Sequence, residues 1–300
     1  FRIALLACFI NSVSFSGFIF DIVQWPIDFL PGISLLIFYF LYKLLKGEEK
    51  YIVFLAFISG LALHINFTAI FFPIIILLCL PFFPRNRKML FYLFLSIPSF
   101  LIWLVPNLIY QFQDSSQLGN LSHYLAIYYH GFHLKRFIRL IGDGLIQFDP
   151  YLYFKAIKPF KVLVIPIFLF VFLREKISRE RIIFSCLTLI FFLVPWLILS
   201  TYKGEISDYY FSINRFIALF ILSYLLVKLF LIKNWIIKIV VLGFIAYYSY
   251  FNLGNIFQYN DGNGIRKKFE KVEPYVESNQ KVEFVEGMPE SYIYYSLMRK

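Results

Sequence analysis

Charge is what this chain has least of. Asp, Glu, Lys and Arg make up 16% of its 300 residues against 60% hydrophobic ones, and the mean hydropathy is +0.72. That balance excludes an ordinary soluble domain and points to a polytopic membrane protein. Acidic residues are the scarcer sign, 18 against 29 basic, for a net charge of +11. The surplus does not point to nucleic acid. Residues 261–300 hold seven basic and seven acidic side chains, so the excess lies in the apolar part, mostly in short loops, as the positive-inside rule expects. Cysteine is rare too: Cys8, Cys79 and Cys186 all fall in apolar segments, which argues against a disulfide framework or a thiolate metal site and for small core residues. No internal repeat is found, nor the matched broken helices that a secondary transporter would more often show. The chain starts at Phe1 without Met, and its first apolar run begins at once, without the n-region and cleavage site of a signal peptide. The expectation is a fragment lacking its N-terminal segment.

What is present is a succession of apolar runs. Nine crossings are expected, at about 3–20, 27–45, 51–64, 67–83, 89–109, 159–173, 182–200, 213–232 and 235–252. Under this count the basic clusters 43–50, 85–88, 174–181 and 228–238 all fall on one side, taken as the inside. The loops 21–26, 111–158 and 201–212 and the C-terminal tail are then outside. Inside connections are short and basic, whereas the outside carries two sizeable segments and the tail. Work is expected on the outer face of the cytoplasmic membrane.

Tyr51 to Phe83 is 33 nearly uncharged residues between two basic loops, too long for one crossing and barely long enough for two. Two short helices must meet near His64, Asn66 and Thr68. Polar groups there cannot face lipid without a cost of several kcal/mol each, so the turn must line a protein-walled or watery cavity. Interhelical hydrogen bonding explains such residues as readily as substrate contact.

Within 111–158, residues 121–148 space apolar side chains with Lys135, Arg136 and Arg139 so as to suit an amphipathic helix in the headgroup plane. It would serve either as a lid over a membrane-level cavity or as a structural helix on the bundle. His123, His130 and His133 have no Cys or carboxylate at ligand spacing, so they read as structural or interfacial, and no metal is assigned, although a divalent ion stays possible. The tail changes character: turn-rich 260–264, a strand-like 281–286 and a helix candidate after Pro289. The expected fold is therefore an all-α polytopic membrane domain over 1–252, with about nine transmembrane helices. A small outer α/β piece is expected to begin at 253–300.

Residues 3–45, the run 54–73 with its Gly60-Leu61-Ala62 element, a polar pair and a terminal Pro73, and 207–226 resemble the bacterial family 39 glycosyltransferases. These are integral-membrane GT-C enzymes related to the protein mannosyltransferases and the lipid A aminoarabinose transferase. The resemblance is one of layout over most of residues 1–250, with no short diagnostic motif, and the family's prolines after the Tyr-rich approach are absent here. It implies transfer of a sugar from a polyprenyl-phosphate donor to a lipid, glycan or protein acceptor at the outer face. It also implies an acidic general base in the first outer loop, which would lie before Phe1, so no catalytic residue is named.

An inverting transfer needs cationic groups to take up charge on the leaving phosphate, and the planar fork of Arg suits that task. Arg215, near the outer end of its crossing beside Tyr209 and Tyr210, is the first candidate, against a plain snorkelling arginine. His64 and Asn66 are the second group of substrate-binding candidates. Asp21 sits at an outer helix end, where a carboxylate touching the acceptor would fit. Asn107, Gln111, Glu205 and Asp208 are weaker candidates, the last two reading as solvated loop charges. Two other classes stay open: a lipid-linked oligosaccharide polymerase, ligase or flippase, and a non-enzymatic membrane protein.

Overall fold

A computed structural model describes residues 1–15, 18, 29–106, 109, 127, 129, 131–147, 168, 171–174, 177–203, 206, 210 and 213–262. Among them the chain is helical, without a strand, and holds one isolated antiparallel bridge, Tyr129 with Tyr202. The named helices in chain order are α1 (Arg2–Val13), α2 (Leu30–Leu45), α3 (Tyr51–Ile65), α4 (Phe71–Cys79), α5 (Arg87–Leu101), α6 (Leu134–Gln147), α7 (Arg179–Leu199), α8 (Arg215–Phe230) and α9 (Trp235–Gly262). Short 3-10 turns, Phe67–Ile70 and Leu80–Phe82, extend α4 at both ends.

Two of these helices are long and apolar enough to cross a membrane, judged by length and composition: α7 with 21 residues and the 23 residues Trp235–Phe257 of α9. Helices α1, α2 and α3 and the run Thr68–Phe82 are apolar but shorter. At about 1.5 Å per residue, a helix like α3 is roughly 22 Å long, less than a hydrocarbon core of about 30 Å. Helix α9 does not stop at residue 252, where hydropathy drops, but runs on to Gly262. The reason is that Asn252 works sideways rather than as a terminator. Its Nδ2 donates to the Tyr248 carbonyl at 2.9 Å, and its Oδ1 accepts from the Phe15 amide at 3.0 Å, tying α9 to the chain just after α1. Residues 263–300, with the strand-like 281–286 and the outer piece expected there, lie outside the described residues.

Local sequence fixes several helix ends. Asn86 Oδ1 accepts from the Met89 amide at 2.8 Å and Ser178 Oγ from the Arg181 amide at 3.2 Å, each satisfying an orphan donor of a first turn. Helix α2 closes with Gly47 in the left-handed region at φ 99°, where a side chain would be strained. Its amide donates to Leu44 O at 2.9 Å and that of Glu48 to Lys43 O at 3.2 Å, the paired bonds of a Schellman cap.

Packing joins the helices into one bundle with a shared core. Helix α3 lies against α2 and, most closely, α5, while α1 lies against α8 and α9. Phe38 of α2 is the hub between α2, α7 and α8, with edge-to-face contacts to Phe184, Phe191 and Phe216 at 5.3, 5.3 and 5.2 Å.

The polar links sort the bundle into two ends. At one, Lys46 Nζ meets Glu180 Oε1 at 2.6 Å and Asn86 Nδ2 donates to Glu49 Oε1 at 2.6 Å. These bonds join the loops after α2 and before α5 to the start of α7, so three of the four basic clusters meet. At the other end, Ser34 Oγ near the start of α2 donates to Ile213 O at 2.7 Å, just before α8. Helices α2 and α8 therefore start together, and Arg215 lies at the end opposite the basic loops.

Candidate functional site

Helix α8 begins with Arg215, and that position is chemically odd. The first turn of a helix carries partial positive charge, which disfavours a cation, and the guanidinium is also buried, at 5% exposure. A helix start and a buried arginine at one point both favour an anion. Asn214, the residue before it, is fully buried, and neither its Nδ2 nor its Oδ1 has a hydrogen-bond partner among the described residues.

Three hydrogen bonds tie together the elements around Arg215. Ser34 of α2 anchors the preceding turn through the Ile213 carbonyl. Tyr248 of α9 is buried close enough to feel the Arg215 charge, and it shares a hydrogen bond with Ser14, also buried, at the end of α1. The Phe15–Asn252 bond then locks that end of α1 onto α9. Ser14, Asn214, Tyr248 and Asn252 were not singled out from sequence. Their signal was a polar residue inside an otherwise apolar run, which Ser14 and Asn252 both show.

From Arg215 a cleft of about 620 Å³ runs between α1, α2, α7 and α8. Its polar contributors besides Arg215 include Asn11 of α1 and Thr188 of α7, whose hydroxyl is already engaged with Phe184 O at 2.8 Å. The rest is mostly apolar, with Ala7, Gly32 and Phe220 among its walls, and none of its described lining residues is acidic. A long apolar slot with one buried guanidinium at its head is shaped for an amphiphile: an anionic group at Arg215 and a hydrocarbon chain along the slot.

The other sequence candidates are placed elsewhere or lie outside the described residues. His64 is exposed at the end of α3, with its ring 6.2 Å from that of Trp103. Asn66 is extended and half-buried, and its Oδ1 accepts from both Thr68 N at 2.9 Å and Thr68 Oγ1 at 2.8 Å. That bonding makes it the cap of the 3-10 turn into α4. Neither His64 nor Asn66 is among the described residues lining the Arg215 cleft. Tyr210 packs on the core with its ring tilted against that of Tyr202, centroids 6.0 Å apart, and the Tyr202 ring is tilted against that of Tyr129 at 5.5 Å. Burial, and then the neighbouring Tyr202, push the Tyr129 phenol above its ordinary value. Asp21, Tyr209, Asn107, Gln111, Glu205, Asp208, His123 and His130 lie outside the described residues. His133 is exposed, and among the described residues no three His, Cys, Asp or Glu side chains are grouped to hold a metal ion.

Comparison with known proteins returns nothing for this chain: no family model matches it, and no curated protein or solved structure is significantly similar to it.

Proposed function

We propose that this chain is part of an integral-membrane glycosyltransferase that moves a sugar from a polyprenyl-phosphate donor to an acceptor at the outer face of the cytoplasmic membrane. The observation that carries the reading is Arg215, a buried guanidinium at the head of an apolar cleft of about 620 Å³. Transfer leaves a phosphate on the lipid, and its charge must be met where water is scarce. Arg215 and the α8 N-terminus meet it with a forked donor and a favourable dipole, while the slot between α1 and α8 takes the isoprenoid chain.

In this reading the chain crosses the bilayer nine times. The end with Lys46, Glu49, Asn86 and Glu180 faces the cytoplasm, as the positive-inside rule favours, and the Arg215 end faces out. Support comes from the two helices of spanning length and from the exposed apolar flank of α9, where Ile236, Ile239, Val240 and Leu242 all stand clear of the bundle. Such a surface suits hydrocarbon better than water. The resemblance of the sequence pattern to family 39 enzymes points to the same donor chemistry.

The test is transfer from defined polyprenyl-phosphate sugars by the full-length enzyme in proteoliposomes. Arg215→Ala should lower turnover roughly a hundredfold, the scale of losing one preorganised donor to a developing anion. Arg215→Lys, which keeps the charge but not the fork, should fall between the two. Melting temperatures close to the parent's would separate lost chemistry from lost folding. Equal turnover in Arg215→Ala would take Arg215 out of the site, and movement of intact donor across the bilayer without cleavage would favour a flippase instead.

A further inference from the structure

The side chains of α6 that the structure describes divide by direction in a way the bundle alone does not require. At about 100° per residue, Phe137 and Leu140 share one side of the helix, Leu134 and Ile138 the next, and Lys135 and Arg139 the side facing away from the first. Leu140 is buried and Phe137 half-buried in the core, and α6 packs on α7, so the first side is the bundle side. Leu134 and Ile138 are nonetheless 60% and 61% exposed, and Phe132 just before the helix is 54% exposed while its ring lies 5.8 Å from that of Phe137. Lys135 and Arg139 are exposed as well. Helix α6 carries three cations, Lys135, Arg136 and Arg139, against one acid, Asp143.

The depth of this helix follows from a second observation. Tyr129, five residues before α6, bridges Tyr202, three residues beyond the end of α7. Helix α7 is long enough to span the hydrocarbon, so its end and the Tyr129, Tyr202 and Tyr210 rings mark a boundary where tyrosines are favoured. Helix α6 thus starts at that boundary, with an apolar strip beside a cationic one.

We propose that α6 is an interfacial helix that docks on anionic phospholipid: Phe132, Leu134 and Ile138 enter the acyl boundary, and Lys135 and Arg139 hold the headgroups. Charge complementarity selects this occupant, since a helix with three cations against one acid fits an anionic surface. The inference rests on the placement of α6 and not on the sugar-transfer reading.

Hydrogen exchange of residues 131–140 tests it, measured on the whole protein in nanodiscs of phosphatidylcholine alone and of phosphatidylcholine with phosphatidylglycerol. Exchange should be slower with phosphatidylglycerol by roughly thirtyfold, a factor of about five for each cation. High salt should erase most of the difference. Lys135→Gln with Arg139→Gln should lose the difference while keeping the parent's melting temperature. If the double variant does not fold, the salt titration of the parent decides alone. Equal protection in both lipids would mean that α6 is held only by α7 or by another protein surface, and that outcome overturns the proposal. So does a phosphatidylglycerol effect that persists in the double variant.

Discussion

Gly60 of α3 faces the backbone carbonyl of Phe100 in α5 so closely that a Cβ built at Gly60 would sit 2.5 Å from its oxygen. The obstruction is backbone, which cannot swing aside as a side chain can. Gly60→Ala should force α3 and α5 apart, at about 1–3 kcal/mol, the usual range for overpacking. Gly243 in α9 has nothing within 4 Å of its would-be Cβ. Gly243→Ala should therefore be neutral or stabilising, by up to about 1 kcal/mol from helix propensity. Thermal unfolding in detergent separates the two, and a Gly60→Ala protein as stable as Gly243→Ala would refute the close approach.

Ser34 is the tie between α2 and the turn that delivers Arg215. Both Ser34 and Ile213 are buried, so Ser34→Ala leaves the Ile213 carbonyl without this donor, at a cost of about 1–3 kcal/mol. The loss should appear as a lower melting temperature and as weaker binding of a lipid phosphate, because the start of α8 is freed. Unaltered binding alongside a lowered melting temperature would show that Arg215 is positioned without Ser34.

The helical character of the described residues was legible in the sequence, as apolar runs between basic loops, whereas only α7 and α9 have the length and composition to cross a membrane. Arg215 was legible for a related reason, as a lone cation at the edge of such a run. The cleft it heads was not. Its walls come from α1, α2, α7 and α8, and nothing in the order of residues says that Asn11, Gly32 and Thr188 share a space. The overrun of α9 was hidden because a polar Asn252 reads as the end of an apolar run, while its bond to Phe15 is a tertiary fact. Asn66 marked a turn correctly, yet its bonds to Thr68 are a local cap visible in the spacing of the two residues. Membership of the Arg215 cleft was not visible in that spacing.

The basic end should be held most firmly over the middle of the pH range. Hydrogen bonding from Asn86 holds Glu49 below its ordinary 4.5, so its contribution is present above that value and is lost as pH falls through the folded one. The bond to Glu180 raises Lys46 above its ordinary 10.5, so that contribution is present below 10.5 and is lost as pH rises past the folded value. Asn86→Asp keeps an N-cap oxygen for Met89 but faces Glu49 with a like charge. The variant should lose stability relative to the parent near neutral pH and recover part of it on acidification, when one carboxyl takes a proton. A pH series of melting temperatures that runs parallel to the parent's would remove the Glu49 link.

Phe38 joins the stability of the bundle to the shape of the cleft. Its ring meets Phe184, Phe191 and Phe216 edge to face, and Phe38, Phe184 and Phe216 also line the cleft. Phe38→Ala removes the shared partner of three rings and should cost about 3 kcal/mol or more, because close-packed neighbours collapse only partly into the hole. Phe38→Leu retains much of the volume and should lose less. The hole opens into the cleft, so the alanine variant should also admit a bulkier hydrocarbon chain than the parent does. Competition between linear and methyl-branched lipid phosphates measures that preference apart from stability. If the melting temperature drops while the order of preference stays as in the parent, the hydrocarbon does not lie against Phe38, and the slot between α1 and α8 must take it elsewhere.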